Sequence, residues 1–234
     1  MKKVTIYTAF SNFPQQWLKE AIISMINQTY KNFEFALIFY GNDIIDHEII
    51  TLLQENNIPF NLYYTNTDEI KSFIDVIKFI LPRTHTDYIL RLDADDILVP
   101  EALQTMINYT DYNPEAVMIV PNHHVVDSKG IITKYNREGN SMDFPLPTCA
   151  LLKTKFLKTV EWLPNQIYRD KMNLIYTIEK NDLEVVYNGM PLFYYRVHNK
   201  SISHGGVKAE IIEKQELAIK KFYSNTEDRR IPNH

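Results

Sequence analysis

Residues 4–92 alternate between short β-branched or aromatic runs and stretches of helical periodicity, and this alternation limits the possible folds more than any other feature. Residues 4–10 read as a first strand. Pro14 then stands in the first turn of a helix whose Leu18, Ala21, Ile22, Met25 and Ile26 form one apolar stripe. Residues 33–40 are almost continuously apolar, the pattern of a strand buried on both faces. A second helix is expected over residues 44–55 and a strand over 60–64. A third helix over 70–81 follows the acidic Asp68 and Glu69, and a fourth strand covers 88–92. Repeated β-α-β connection builds a largely parallel sheet with helices on both faces, and ligands then sit beyond the carboxyl ends of the strands.

The later pattern is looser. A helix is expected near Val99, with Pro100 and Glu101 in its first turn and Leu103, Met106 and Ile107 facing inward. Short strands follow over 116–120, 125–127 and 131–135, then a polar connection over 136–148. A helix after Asp170, strands over 184–187 and 191–197, and an amphipathic helix over 207–223 complete the chain. The expected organisation is one domain over 1–206, with a ligand-binding half (1–98) and a second half (99–206), followed by the terminal helix and tail.

Composition removes several classes. With 29 acidic and 25 basic residues the net charge is −4, which offers no broad basic surface for nucleic acid. Cys149 is the single cysteine, so neither an internal disulfide nor a cysteine-rich zinc site can form, and a reducing, cytoplasmic setting fits. The basic Lys2 and Lys3 precede an apolar run broken by Ser11, Asn12 and Pro14, which reads as a strand and not as an export signal. No window approaches the ~20 apolar residues of a membrane span. Any membrane contact is therefore expected to be peripheral, at the inner face.

Asp93, Ala94, Asp95 and Asp96 directly follow the fourth strand, so three carboxylates emerge where a ligand would bind. They repel one another unless a cation or hydrogen-bond donors compensate. A hard divalent ion, Mn²⁺ or Mg²⁺, prefers such oxygens and can grip a diphosphate leaving group. Capping of the next helix would need only one aspartate. A calcium loop is excluded, because its required Gly and Glu positions hold Leu98 and Gln104. A phosphatase of the haloacid-dehalogenase kind usually opens with its acidic motif, whereas three strands precede this one.

Three blocks in order carry a resemblance. They are residues 18–30 (LKEAIISMINQTY), residues 92–100 (LDADDILVP) and residues 195–203 (YRVHNKSIS). Together they resemble family 2 glycosyltransferases of the GT-A fold. The resemblance implies a Rossmann-like, mostly parallel α/β sheet with a smaller acceptor-side β portion. It also implies a nucleotide-sugar donor, with a UDP-sugar favoured, Mn²⁺ or Mg²⁺, and inversion at the anomeric carbon. The acceptor would be a glycan, a lipid-linked sugar or a protein.

By this resemblance Asp93 faces the ribose or metal-bound water, Asp95 ligates the ion, and Asp96 supports the ion or the donor sugar. Asp170, about 25 residues before the Tyr195-Arg196-Val197-His198 block, takes the place of the base that accepts the acceptor hydroxyl's proton. Arg196 and His198 lie two apart on a strand and therefore on one face, with Arg196 expected at the diphosphate and His198 in the metal shell. Residues 201–206 are expected to order over bound donor.

After the second strand the family commonly has Asp-Asp-Gly-Ser, with one Asp reading the base; here the residues are Phe39, Tyr40, Gly41, Asn42 and Asp43. Tyr40 by stacking, or Asn42 or Asp43 by hydrogen bonding, would replace that anchor, and Phe10 at the end of the first strand is a further nucleotide contact. The missing anchor also keeps a second reading open, a catalytically silent GT-A scaffold that binds a nucleotide or glycan. Arg91, unusual in an otherwise apolar strand, is expected to pair with Asp87 or Asp93.

Overall fold

The structure is a computed structural model that describes residues 1–11, 14–40, 45–66, 69–70, 72–135, 148–162, 170–199 and 217. The first half follows the alternation read from the sequence. Its elements are β1 (Val4–Phe10), α1 (Gln15–Ile26), β2 (Phe33–Tyr40), α2 (His47–Glu55), β3 (Phe60–Thr65), α3 (Phe73–Ile80) and β4 (Tyr88–Arg91). Two helix starts come from capping side chains. Asp46 accepts from the Glu48 N–H and opens α2, and Ser72 accepts from the Asp75 N–H and opens α3. Ile70 is therefore buried ahead of α3 and not inside it.

The second half contains β5 (Ile97–Leu98), α4 (Ala102–Tyr112), β6 (Met118–Val126), β7 (Ile132–Lys134), β8 (Leu151–Lys153), α5 (Thr154–Leu157), α6 (Asp170–Lys180) and β9 (Val185–Arg196). Among the described residues the strands form one sheet in the order β3-β2-β1-β4-β8-β6-β9-β5, with β7 beside β6. β1 to β4 are mutually parallel, and so are β6 and β9. β8 runs antiparallel to both β4 and β6.

Several expectations needed correction. The two strands expected over 116–120 and 125–127 are the single β6, and those expected over 184–187 and 191–197 are the single β9. Pro121 and Pro191 cannot donate to a ladder, but register shifts on either side of Asn122 absorb the missing bonds, so the strands bend without ending. β8 and α5 were not anticipated. The helix expected near Val99 begins at Ala102, because the Val99 N–H is used by the Leu192 carbonyl at 3.0 Å. Of the helix expected over 207–223 only Leu217 is described, helical and exposed; the expectations for 201–206 lie outside the described residues.

Side chains of β1, β2 and β4 alternate between two cores. Ile6, Phe10, Phe35, Leu37 and Leu90 pack with α1, α2 and α4, while Tyr7, Ile38 and Ile89 pack with α3, α5 and α6. Each face of the parallel sheet is thus covered by helices, as expected for a Rossmann-like layer. Among the described residues no helix is long and apolar enough to cross a membrane.

Candidate functional site

The chain runs outward from β1 through β2 to β3 and returns on the other side of β1 as β4. Strand order reverses between β1 and β4, and a crevice opens at the carboxyl ends of strands at such a point. The acidic cluster leaves β4 there. The Asp96 N–H donates to the Asp93 carbonyl at 3.1 Å, closing a tight turn with Ala94 and Asp95 at its tip.

Each acidic side chain of the turn has a different partner. Arg91 binds Asp93 through two bonds, Nε to Oδ1 at 2.7 Å and Nη2 to Oδ2 at 2.9 Å, and its guanidinium also lies over the Phe73 ring. The ion pair expected of Arg91 is therefore made with Asp93, while Asp87 accepts from the Lys3 N–H. Asp95 Oδ2 lies 2.9 Å from His198 Nε2. Asp96 is buried; its Oδ1 accepts from the Arg196 N–H at 3.0 Å and its Oδ2 from the Thr148 hydroxyl at 3.4 Å.

Burial, with charge crowding second, raises two of these carboxyls. Burial, followed by the charges of Asp95 and Asp93, pushes Asp96 well above the usual carboxylate range. Burial and then the Asp93 charge raise Asp95 as well, opposed by its bond to His198. Positive compensation from the protein comes partly from Arg91, whose charge opposes the rise at Asp96.

Arg196 and His198 were expected two apart on one strand, but β9 ends at Arg196 and His198 lies beyond it; both nevertheless reach Asp95, Arg196 at its carbonyl and His198 at its carboxylate. The Arg196 guanidinium, expected at the diphosphate, is buried and each of its nitrogens donates to protein: Nε to the Asp95 carbonyl at 2.8 Å, Nη2 to Glu20 Oε2 at 2.5 Å and Nη1 to the Ser128 carbonyl at 3.3 Å. It braces the acidic turn from behind. Gly130, at φ +82°, closes the nearby loop; a Cβ built there would come within 3.8 Å of Arg196 Nη1. Trp17 on α1 lies against His198, with ring centroids 4.5 Å apart.

The exit from the turn is tied to α1. Ser24 Oγ accepts from the Leu98 N–H at 3.1 Å. Gln28, fully buried, donates from Nε2 to the Ser24 and Val99 carbonyls and accepts from the Leu103 N–H through Oε1. Ser24 and Gln28 were legible only as part of the motif over 18–30; their function is to fix the path that leaves the acidic turn.

At the ends of β1 to β3 the rings of Phe10, Phe39 and Tyr64 form a ladder. Phe10 meets Phe39 edge-on at 5.6 Å, and Phe39 stacks on Tyr64 at 5.4 Å. Phe10, expected as a nucleotide contact, is fully buried and presents no surface to a ligand, whereas Tyr64, which the sequence reading missed, is 63% exposed. Tyr40 packs with the core on the opposite face of the sheet. Asn42 and Asp43 lie outside the described residues. Asp170 is the first residue of α6, and its side chain likewise lies outside the described residues.

Among the described residues no three His, Cys, Asp or Glu side chains converge as a metal cage. The donor pair that could hold a divalent ion is Asp95 with His198, one carboxylate oxygen and one imidazole nitrogen that here meet each other at 2.9 Å. Ions such as Mg²⁺ are often held by only one or two side chains, with water and phosphate oxygens completing the shell, so two protein ligands suit this chemistry.

The chain as a whole is similar to known proteins. A family model described as Glycosyl transferase family 2 matches residues 4–177. An uncharacterized glycosyltransferase of Haemophilus influenzae is 24% identical over 204 residues, covering 83% of this chain and 80% of its own. One from Methanocaldococcus jannaschii is 30% identical over 134 residues, covering 56% of this chain, and the chain spans only 45% of that relative. The solved structure of S. aureus TarS residues 1–349 in complex with UDP superposes with a TM-score of 0.72 over 98% of this chain and 67% of its own, at 13% identity. The same protein in complex with UDP-GlcNAc superposes with a TM-score of 0.67, over 98% of this chain and 68% of its own, at 13% identity. The shared architecture is the GT-A fold.

Proposed function

The chain belongs to glycosyl transferase family 2 and is a glycosyltransferase, and from that membership we propose that it moves a sugar from a UDP-sugar to a hydroxyl of a glycan, lipid-linked sugar or protein, with a divalent ion held by Asp95 and His198. The observation that carries the reading is the approach of Asp95 Oδ2 to His198 Nε2, 2.9 Å apart at the reversal of strand order. A UDP donor is supported by the UDP and UDP-GlcNAc complexes of the similar TarS structures.

When bound, Mn²⁺ or Mg²⁺ supplies charge neutralisation to the departing diphosphate. The protein does the rest. Arg91 holds the Asp93 carboxylate in one orientation, and Arg196 holds the turn through the Asp95 carbonyl and the Asp96 carboxylate. The exposed Tyr64 ring, backed by Phe39, offers a stacking face for the uracil in place of an acidic base anchor. Asp170, at the start of α6, accepts the proton of the attacking hydroxyl, which inversion by direct displacement requires. The buried thiol of Cys149, the only cysteine, accords with a cytoplasmic location.

Turnover of UDP-sugars, by transfer or by slow hydrolysis, tests the reading. Activity should vanish with chelator and return with Mn²⁺ or Mg²⁺. Asp170→Asn should lower turnover by about 10²- to 10⁴-fold, the range of general-base catalysis, with donor affinity retained. Undiminished turnover in chelator would overturn the metal assignment, and undiminished turnover in Asp170→Asn would overturn the base.

A further inference from the structure

We propose that Trp17 and Glu20, one helical turn apart on α1, are positioning residues that set His198 and Arg196 against the acidic turn and so determine how tightly the site holds its ion. The inference rests on the metal reading above and extends it to residues that touch neither the ion nor the donor.

Arg196 ends β9, and the last ladder-like bond beyond it is that from the Val197 N–H to the Val126 carbonyl at 2.8 Å. His198 therefore stands past the sheet, where backbone pairing no longer fixes its ring. Trp17 supplies a surface for it. The indole and imidazole centroids are 4.5 Å apart with planes 34° from parallel, so the indole restricts the imidazole from one side while Nε2 stays directed at Asp95. The same indole lies under the Arg196 guanidinium, whose central carbon is 5.5 Å from the ring.

Glu20 secures the other half. Its Oε2 receives Arg196 Nη2 at 2.5 Å, and its Oε1 accepts from Gln16 at 3.0 Å, so the carboxylate is itself held from the preceding turn of α1. Arg196 is buried, and Glu20 is the carboxylate side chain that pairs with its guanidinium among the described contacts. With Glu20 in place, Arg196 Nε stays on the Asp95 carbonyl, and the backbone that presents Asp95 is fixed. Trp17 thus orients the nitrogen ligand, and Glu20, acting through Arg196, orients the oxygen ligand. Residues that orient metal ligands from behind typically change affinity by about 10- to 100-fold when removed.

The test is titration of Mn²⁺ into the full chain at saturating UDP, followed by electron paramagnetic resonance, with thermal melting of the metal-free protein in parallel. Trp17→Leu keeps an apolar filler but removes the stacking face, and should weaken Mn²⁺ binding by about tenfold or more with little change in melting. Trp17→Phe should restore most of the affinity. Glu20→Gln keeps an acceptor for Arg196 and should bind Mn²⁺ more tightly than Glu20→Ala. Wild-type Mn²⁺ affinity in Trp17→Leu, or equal loss in Trp17→Leu and Trp17→Phe, would overturn the inference and leave the metal reading standing. Absence of Mn²⁺ binding by the wild-type chain would remove the metal reading, and this inference with it.

Discussion

Asp95 and His198 are 103 residues apart in the chain, yet Oδ2 of one lies 2.9 Å from Nε2 of the other. Neither residue could hold that contact alone. Asp95 sits at the tip of a turn braced by Arg196, and His198 lies beyond the last paired residue of β9 with Trp17 against its ring. The site is thus assembled from three separated segments, α1, the turn after β4 and the end of β9, and its properties follow from how they are joined.

Gln28 is one such joint. Its side chain is fully buried and bonds the Ser24 carbonyl, the Val99 carbonyl and the Leu103 N–H. Gln28→Ala leaves a buried N–H without its acceptor and should destabilise the fold by about 2–3 kcal/mol in chemical denaturation. A loss below ~0.5 kcal/mol, the range of an ordinary surface change, would contradict this account.

Buried Asp96 makes stability depend on pH. Its folded-state pKa is raised above the ordinary 3.8, chiefly by burial and then by Asp95 and Asp93. Its contribution to stability is therefore fully present below 3.8 and is lost as pH rises through the folded value, so the ionised form costs stability at neutral pH. The metal-free Asp96→Asn variant should melt above the wild type at pH 7, and the difference should shrink toward pH 4. A lower melting temperature for the variant at pH 7 would count against the burial argument.

Tyr64 should carry base recognition. Stacking of a base on an aromatic ring is worth roughly 1–3 kcal/mol, so Tyr64→Ala should weaken UDP binding by about tenfold or more, while Tyr64→Phe should stay near wild type. Because every base has a stacking face, discrimination between UDP and other nucleoside diphosphates should be modest. Unchanged UDP affinity in Tyr64→Ala would rule out this role.

Much of this was legible in the sequence because local pattern and final structure agree. The almost unbroken apolar run of Phe33–Tyr40 is buried on both faces, and the acidic cluster does leave the carboxyl end of a parallel strand. What misled the reading was tertiary. Pro121 lay between two expected strands and Pro191 opened another, but register shifts let β6 and β9 continue past them. β8 has only three residues and follows Cys149 in a left-handed backbone (φ 57°), too brief a pattern to stand out. Trp17 and Glu20 were given no site role from the sequence, since Glu20 meets its partner 176 residues away. Tyr64 gave no signal because its stacking partner, Phe39, belongs to a neighbouring strand.

The central claim is that Asp95 and His198 hold an ion through which the donor's diphosphate is bound, and calorimetric titration of UDP tests it most directly. Wild-type protein should bind UDP in Mn²⁺ and lose at least about tenfold in affinity with chelator, and Asp95→Ala should bind as weakly in Mn²⁺ as the wild type does without it. Equal UDP affinity with and without Mn²⁺, or in Asp95→Ala and wild type, would contradict the account.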